Sequence, residues 1–426
     1  MKGEKLALFG GPKTIKKPFK RYNSIGKEEV KAAHQVVKSG TLSKFVGSWE
    51  PDFFGGPKVQ EFEKKCAKYF SVKHAITVNS WTSGLIAAIG AIGVEPGDEV
   101  ILPTWTMSAC ATAILNWNAI PVFADINPDT YCIDPVSVEK NITSYTKAIM
   151  AVDIFGQSAD MNTLMSIADK HGLKVISDTA QAPGSIYKGK ISGTLAHIGG
   201  YSLNYHKHIH TGEGGILITN NDKYAEKLKL IRNHGEAVVG AKGTDSLTNI
   251  VGYNFRLGEI ESAIGIEQLK KLKSLIKNRQ DVSKKLTKGF KELNGLNTPT
   301  VNENSSHVYY VYPMKLDIEK IGVSRNRIIE ALEAEGLKGL MSGYVNLHLL
   351  PMYQKKIAYG SKGFPWSSDI CQRRVSYSKG ICPVAENLQD KTFLGFEICQ
   401  HQMNDTEIKA MISAFKKVWL NLDLLR

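Results

Sequence analysis

From Val59 to Gln181 the chain alternates helix-like and strand-like segments, and this alternation restricts the available folds more than any other feature. "KVQEFEKKCAKYF" carries apolar residues at helical spacing, "HAITVNS" reads as a strand ending in polar residues, and "SGLIAAIGAIG" returns to helix. "DEVILPTW", "IPVFADI", "KAIMAVDIF" and "KVISDTAQ" read as short strands, with "SACATAILNWN" and "MNTLMSIADKHG" as helices among them. Strands this uniformly apolar are buried on both faces. The order therefore predicts an α/β fold in which helices cover both sides of a mixed or parallel sheet. Ligands of such sheets bind beyond the carboxyl ends of the strands.

Downstream the pattern changes to long helices, "DKYAEKLKLIRNHG" and then "RLGEIESAIGIEQLKKLKSLIKNRQDVSKKLTKGFKEL". "HVYYVYPMKL" opens a smaller α+β region in which "SRNRIIEALEAEG" and "TEIKAMISAFKKVW" are helical. These changes predict an N-terminal arm (1–30), a large domain (31–272) and a small C-terminal domain (273–426). The length of 426 residues suits two domains. The N-terminal "MKGEKLALFGGPKT" lacks the apolar stretch of a secretory signal, and no run reaches a membrane-spanning length, so a cytoplasmic protein is expected. Six scattered cysteines without a CxxC pair argue for reduced thiols. A net charge of +13 favours anionic partners, but the lysines are dispersed on helix-like segments and accompany no motif for reading nucleic acid. A small phosphorylated ligand fits that balance better.

The stretch "NYHKHIHTGEGG" (204–215) admits three chemistries. His206, His208 and His210 at alternate positions would share one face of a strand and could hold a metal, yet Glu213 is the sole acid nearby. The glycines do not match a phosphate-binding loop, G-x-x-x-x-G-K-[ST], and no G-x-G-x-x-G follows a strand. Lys207 could instead serve as an amine nucleophile toward a carbonyl cofactor such as pyridoxal phosphate. That cofactor needs an acid at its ring nitrogen and a cradle for its phosphate. Asp178 ends a hydrophobic strand where an open sheet presents its ligands. Asn79, Ser80, Thr82 and Ser83 stand where another strand passes into a helix N-terminus, which suits a phosphate.

Taken together, "PGDEVILPTWT", "IPVFADINPDT", "DMNTLMSIADKHGLKVISDTAQAPG", "YSLNYHKHIHTGEGGILIT" and "GYNFR" resemble, in order, the motifs of the DegT/DnrJ/EryC1/StrS sugar aminotransferases. These are pyridoxal 5'-phosphate (PLP) enzymes of fold type I. The resemblance implies a large domain with a mostly parallel sheet of the seven-stranded type between helices, plus a smaller α+β C-terminal domain. It implies that Lys207 is the Schiff-base lysine, that Asp178 pairs with the pyridinium nitrogen, and that Gln181 lies by the phenolic oxygen. Trp81, Thr82 and Ser202 would hold the phosphate, and Asn254 would reach it from a neighbouring subunit, making a homodimer with shared active sites. The implied reaction moves an amino group from an amino acid, glutamate by expectation, to a keto or aldehyde sugar. A nucleotide-linked keto-deoxysugar is the first expectation, within cell-surface polysaccharide or secondary-metabolite biosynthesis. A keto-inositol or an oxidised octulosonate is the alternative. Related dehydratases carry histidine where Lys207 stands, and a regulator that kept the fold would not need the intact set.

The chain also departs from the family pattern. Met107 occupies the place of an aromatic residue that covers the cofactor ring, with Trp105 as a possible substitute. Trp81 stands where glycine is common, Ser177 replaces a glutamate, Asp153 a histidine, and His197 an aspartate. Residues 43–56, "SKFVGSWEPDFFGG", form an aromatic segment that either packs or enters a substrate pocket. Trp49, Arg232, His234 and His348 are thereby candidate substrate contacts. No metal is expected.

Overall fold

A computed structural model describes residues 4–244 and 246–426. Its central sheet contains β1 (His74–Val78), β2 (Glu99–Pro103), β3 (Ile120–Ala124), β4 (Thr146–Val152), β5 (Lys174–Asp178), β6 (Ile198–Ser202) and β7 (Gly215–Thr219). The strand order is β1-β7-β6-β5-β4-β2-β3. β7 runs antiparallel to both neighbours and all other pairs are parallel, so six strands end at one edge.

Helices α1 (Lys27–Ser39), α2 (Pro57–Phe70), α3 (Trp81–Ala91), α4 (Ala109–Asn116), α5 (Met161–His171) and α6 (Asp222–Arg232) surround this sheet. Local chemistry sets their starts. Ser80 Oγ accepts from Ser83 N at 3.1 Å to begin α3, and the Asp160 carboxylate accepts from Thr163 N to begin α5. Adjacent strand residues point to opposite faces. On β6, a Cβ at Gly200 would lie 2.3 Å from the Trp81 indole of α3, whereas Tyr201 stacks on Phe70 of α2 with centroids 4.1 Å apart. The sheet is thus covered on both sides, which is why its strands are apolar throughout.

A second sheet, β8 (Leu296–Asn297), β9 (Tyr312–Leu316), β10 (Leu340–Met341) and β11 (Phe393–Phe396), is antiparallel in the order β8-β9-β11-β10. The 32-residue helix α7 (Glu259–Phe290) joins the two bodies. Leu269, Leu272 and Ile276 pack beside the large sheet, and Leu286 and Phe290 enter the core of the small one. The boundaries expected at residues 30 and 272 both fall inside helices, α1 and α7, whose apolar stripes continue past those points. Leu347, Tyr353 and Tyr377 also return to the core of the large sheet although they lie late in the chain. Among the described residues no helix is long and apolar enough to cross a membrane.

The histidines of "NYHKHIH" depart from expectation. β6 ends at Ser202, and Leu203 then closes a loop by donating to Gly214 O and accepting from Thr211 N. Residues 204–210 therefore form a turn, and the histidines do not share a strand face.

The N-terminal arm is fastened to the small body through Glu335. Its buried carboxylate accepts from Ala7 N at 2.8 Å, Thr14 N at 3.0 Å, Thr14 Oγ1 at 2.7 Å and buried Lys417 Nζ at 3.0 Å. Burial pushes this carboxyl up, but these donors outweigh it and hold it below the ordinary glutamate value. A depressed folded pKa gives a contribution that is complete above the unfolded value of about 4.3 and lost as pH falls through the folded one. Glu335→Ala should lower the unfolding free energy at pH 7 by about 3–5 kcal/mol, because Lys417 is left buried and unpaired. Denaturant melts should show the gap between variant and parent narrowing below about pH 4.

Candidate active site

At the carboxyl edge of the large sheet lies a cavity of about 200 Å³. Its walls come from the β1–α3 junction (Ser80, Trp81, Thr82), the segment after β2 (Thr106, Met107), the end of β5 (Asp178, Gln181), Ser202 of β6, the following turn (Asn204, His206, Lys207, Glu213) and Tyr344. Residues far apart in the chain meet here because the parallel strands end together. A larger open groove of about 1000 Å³ beside the C-terminal half of α7 shares none of these residues.

Lys207 is 7% exposed, and its Nζ lies 4.3 Å from the centroid of the Tyr310 ring. No hydrogen bond or ion pair engages that nitrogen among the described residues. Burial lowers its pKa to about 8, against the upward pull of Asp178 and Cys399. A substantial neutral fraction at physiological pH makes it a competent nucleophile and base. Burial also lowers His206 to about 4, aided by Lys207, and pushes His208 well down. His208 Nε2 meets Val308 O at 2.8 Å, and His206 lies between Tyr205 and Tyr310. The two therefore flank the lysine as neutral packing groups, and the described residues contain no cluster able to hold a metal ion.

Asp178 is 5% exposed. Its Oδ1 accepts from the Trp81 indole Nε1 at 2.7 Å and from Ala180 N at 3.1 Å, and its Oδ2 from the Cys110 thiol at 3.1 Å. Next to it, buried Asp153 accepts from Ser177 Oγ at 3.2 Å, Thr179 Oγ1 at 2.8 Å and Ala159 N at 2.9 Å. Burial raises the Asp153 carboxyl to about 6 despite these donors. The departures at Asp153 and Ser177 thus belong to one hydrogen-bonded unit behind Asp178.

Gln181 is fixed at both ends: its Oε1 accepts from Phe155 N at 2.8 Å, and its Nε2 donates to Tyr344 Oη at 3.2 Å. Thr82 lies in the first turn of α3 and Ser202 closes β6, so two hydroxyls and a helix N-terminus face one end of the cavity. An amine for an aldehyde, a carboxylate for a ring nitrogen and this anion-binding end together fit pyridoxal phosphate.

The structure redistributes the other candidates. Met107 lines the cavity, whereas Trp105 is fully buried away from it, donating to Gln389 Oε1 at 2.9 Å. The Trp81 side chain does not join the hydroxyls at the anion-binding end, since its nitrogen is spent on Asp178. His348 is not at the cavity either: it is fully buried between Thr104 Oγ1 at 2.5 Å and Glu386 Oε1 at 3.0 Å. Arg232 is buried against Glu63 Oε1 at 2.6 Å. Trp49 packs on Phe53 and Phe54, which fill a small cluster with Leu230, Val238 and Ile250, so the aromatic segment packs rather than lines this cavity. His234 opens a neighbouring helix with Nδ1 3.6 Å from Glu236 Oε1. Asn254 is exposed beside Asn79.

Sequence reasoning missed Tyr310, Tyr344, Glu213 as a cavity residue, and Cys110. The two tyrosines come from the small body and no motif marks them. Cys110 lies in an apolar helix, where only its register toward β5 distinguishes it.

Comparison with known proteins identifies the family. The DegT/DnrJ/EryC1/StrS aminotransferase family matches residues 23–391. The spore coat polysaccharide biosynthesis protein SpsC of Bacillus subtilis (strain 168) is 35% identical over 358 residues, covering 83% of this chain and 89% of its own. GDP-perosamine synthase of Caulobacter vibrioides is 36% identical over 299 residues, covering 70% and 79% respectively. The solved aminotransferase from Psychrobacter cryohalolentis superposes with a TM-score of 0.81 at 28% identity, over 95% of this chain and 100% of that one. The chain belongs to the DegT/DnrJ/EryC1/StrS aminotransferase family, whose members are PLP-dependent enzymes.

Proposed function

We propose that this aminotransferase moves an amino group from an amino acid, glutamate by expectation, to the carbonyl of a nucleotide-linked keto-deoxysugar. It does so as a cytoplasmic homodimer with shared sites, in the biosynthesis of a cell-surface polysaccharide. The observation that carries the reading is Lys207, a buried amine held near neutrality in the same cavity as the hydrogen-bonded carboxylate Asp178. The names of two relatives, one for spore coat polysaccharide and one for a GDP-linked product, support the substrate class.

Bound here, pyridoxal phosphate supplies an aldehyde that holds the amino group and a cationic ring that absorbs charge. The chain's residues supply the rest. In the donor half Lys207 Nζ would take the proton from the donor's Cα and pass it to the cofactor's aldehyde carbon, and in the acceptor half it would move a proton from that carbon to the sugar carbon that receives the amine. Asp178 holds the proton on the ring nitrogen. Thr82, Ser202 and the N-terminus of α3 hold the phosphate, with Asn254 of a second copy completing that end. Gln181, oriented by Tyr344, would border the ring, and the Met107 thioether, which lines the same cavity, would offer it apolar cover. Leu247 and Val251, four residues apart, are 60% and 61% exposed and offer apolar area that a second copy would cover. In this reading the chain divides into an N-terminal arm (1–30), a large PLP-binding domain (31–272) and a small C-terminal domain (273–426).

Borohydride reduction followed by peptide mapping should place the cofactor on Lys207, and Lys207→Ala should lose transamination by about 10²–10⁴-fold or more. Full activity in that variant would refute the assignment. Loading of the cofactor-free protein should quicken as pH rises through about 8, where Lys207 gives up its proton; a flat rate from pH 7 to 9 would contradict the assigned amine. Equal mixing of Lys207→Ala and Asn254→Ala subunits should restore about a quarter of parental activity, since half the dimers then carry one intact site. A fully active monomer would exclude shared sites. A screen of nucleotide-linked keto-sugars against keto-inositols and oxidised octulosonates, with glutamate and glutamine as donors, decides the acceptor; turnover of the free compounds alone would overturn the nucleotide-linked class.

A further inference from the structure

Trp81 begins α3, whose N-terminus faces the cavity, and a side chain there would ordinarily point into that cavity or into solvent. Its indole is instead 6% exposed and runs back beneath the helix toward β6. Two glycines make the space. A Cβ at Gly84, one turn along α3, would lie 2.8 Å from the indole Cε3, and one at Gly200 would lie 2.3 Å from Cη2. Neither glycine has a positive φ, so neither is required by backbone conformation. The indole requires Gly84, and at Gly200 the indole and the Ile216 carbonyl oxygen, also at 2.3 Å, require it together.

The seating aims Nε1 at Asp178 Oδ1 over 2.7 Å, the short range of a charge-assisted hydrogen bond. The other side-chain donor to this carboxylate is the Cys110 thiol at 3.1 Å, and thiols donate weakly. Lys207, Cys110, Asp153 and Tyr344 are the titratable groups that feel the charge of Asp178. None of them supplies a short, strong donor to it.

We propose that Trp81 is a positioning residue, its indole N–H anchoring and orienting the Asp178 carboxylate toward the ring nitrogen of the cofactor. The inference rests on the pyridoxal-phosphate reading above. A carboxylate that loses its shortest anchor is free to turn, and it would then hold a proton on the ring nitrogen less firmly.

The test is Trp81→Phe, which keeps a large apolar side chain in the slot and removes the N–H. In the PLP-loaded protein the pH midpoint of the visible absorbance should move upward by about half a unit or more, because a less firmly protonated ring withdraws less charge from the lysine linkage. kcat should fall on the order of tenfold with KM for the amino donor changed less than about twofold, the loss expected of one hydrogen bond to a charged group. In an Asp178→Ala background the same substitution should add less than about twofold to the change in cofactor dissociation constant. Trp81→Gly should show the same absorbance shift together with a lower melting temperature, and it decides the matter if the phenylalanine variant does not fold. A parental midpoint and kcat in Trp81→Phe, or an equal effect with and without Asp178, would make the indole a space filler and overturn the inference. Failure of the parental protein to load PLP on Lys207 would instead overturn the reading beneath it.

Discussion

An amine and a carboxylate are buried in one small cavity without forming an ion pair with each other, and the rest of the structure serves to keep them so. Removing either charge from water costs several kcal/mol unless something replaces the lost hydration. The two groups meet that cost differently. Lys207 has no acceptor among the described residues and gives up part of its charge, its pKa falling to about 8. Asp178 receives donors from an indole, a backbone amide and a thiol. The space between them is where a molecule with an aldehyde and a ring nitrogen can engage both.

Strand order makes this arrangement rigid. β5 and β6 are parallel neighbours in which Asp178 pairs in register with Gly200, so the strand that ends in Asp178 lies against the one that leads into the Lys207 turn. α3 is clamped between them by its own first side chain. Behind Asp178, Asp153 donates its backbone N–H to Asp178 O at 2.9 Å while its carboxylate gathers Ser177 and Thr179. Ser177 and Asp153 look like unrelated departures in the sequence, yet in space they are hydrogen-bonded partners, with the acid at 153 and the neutral group at 177.

Much of this was legible in the sequence because its signals are local. β1 to β5 are apolar runs between periodic helices, and Asp178 and Thr82 stand at strand ends or helix starts. β6 was less legible: "IGGYS" has two glycines where a strand should have branched residues, since Gly199 closely approaches the backbone of Gly193 and Gly200 receives the indole. His348 looked chemically useful because a histidine beside leucines is conspicuous. Its partners Thr104 and Glu386 lie 244 and 38 residues away, and they make it a buried lock between the two bodies. Trp105 is likewise claimed by Gln389, 284 residues on. Sequence spacing carries no record of such long-range partners.

The two halves of the cavity differ in how they are built, and that difference bears on substrate choice. The deep half rests on strand ends and on the first turn of α3, where Asp178 and Gln181 are each held by more than one hydrogen bond. The mouth is assembled from the 204–213 turn, Met107 and Tyr344, with exposed side chains such as Met107 at 54% and Tyr205 at 59%. Loops held by a rigid scaffold can exchange side chains without disturbing it. In the proposed reading the cofactor chemistry rests on the strand ends and on Lys207, and acceptor selectivity on the exposed loops around them, so motifs that read clearly for the reaction carry little about the sugar.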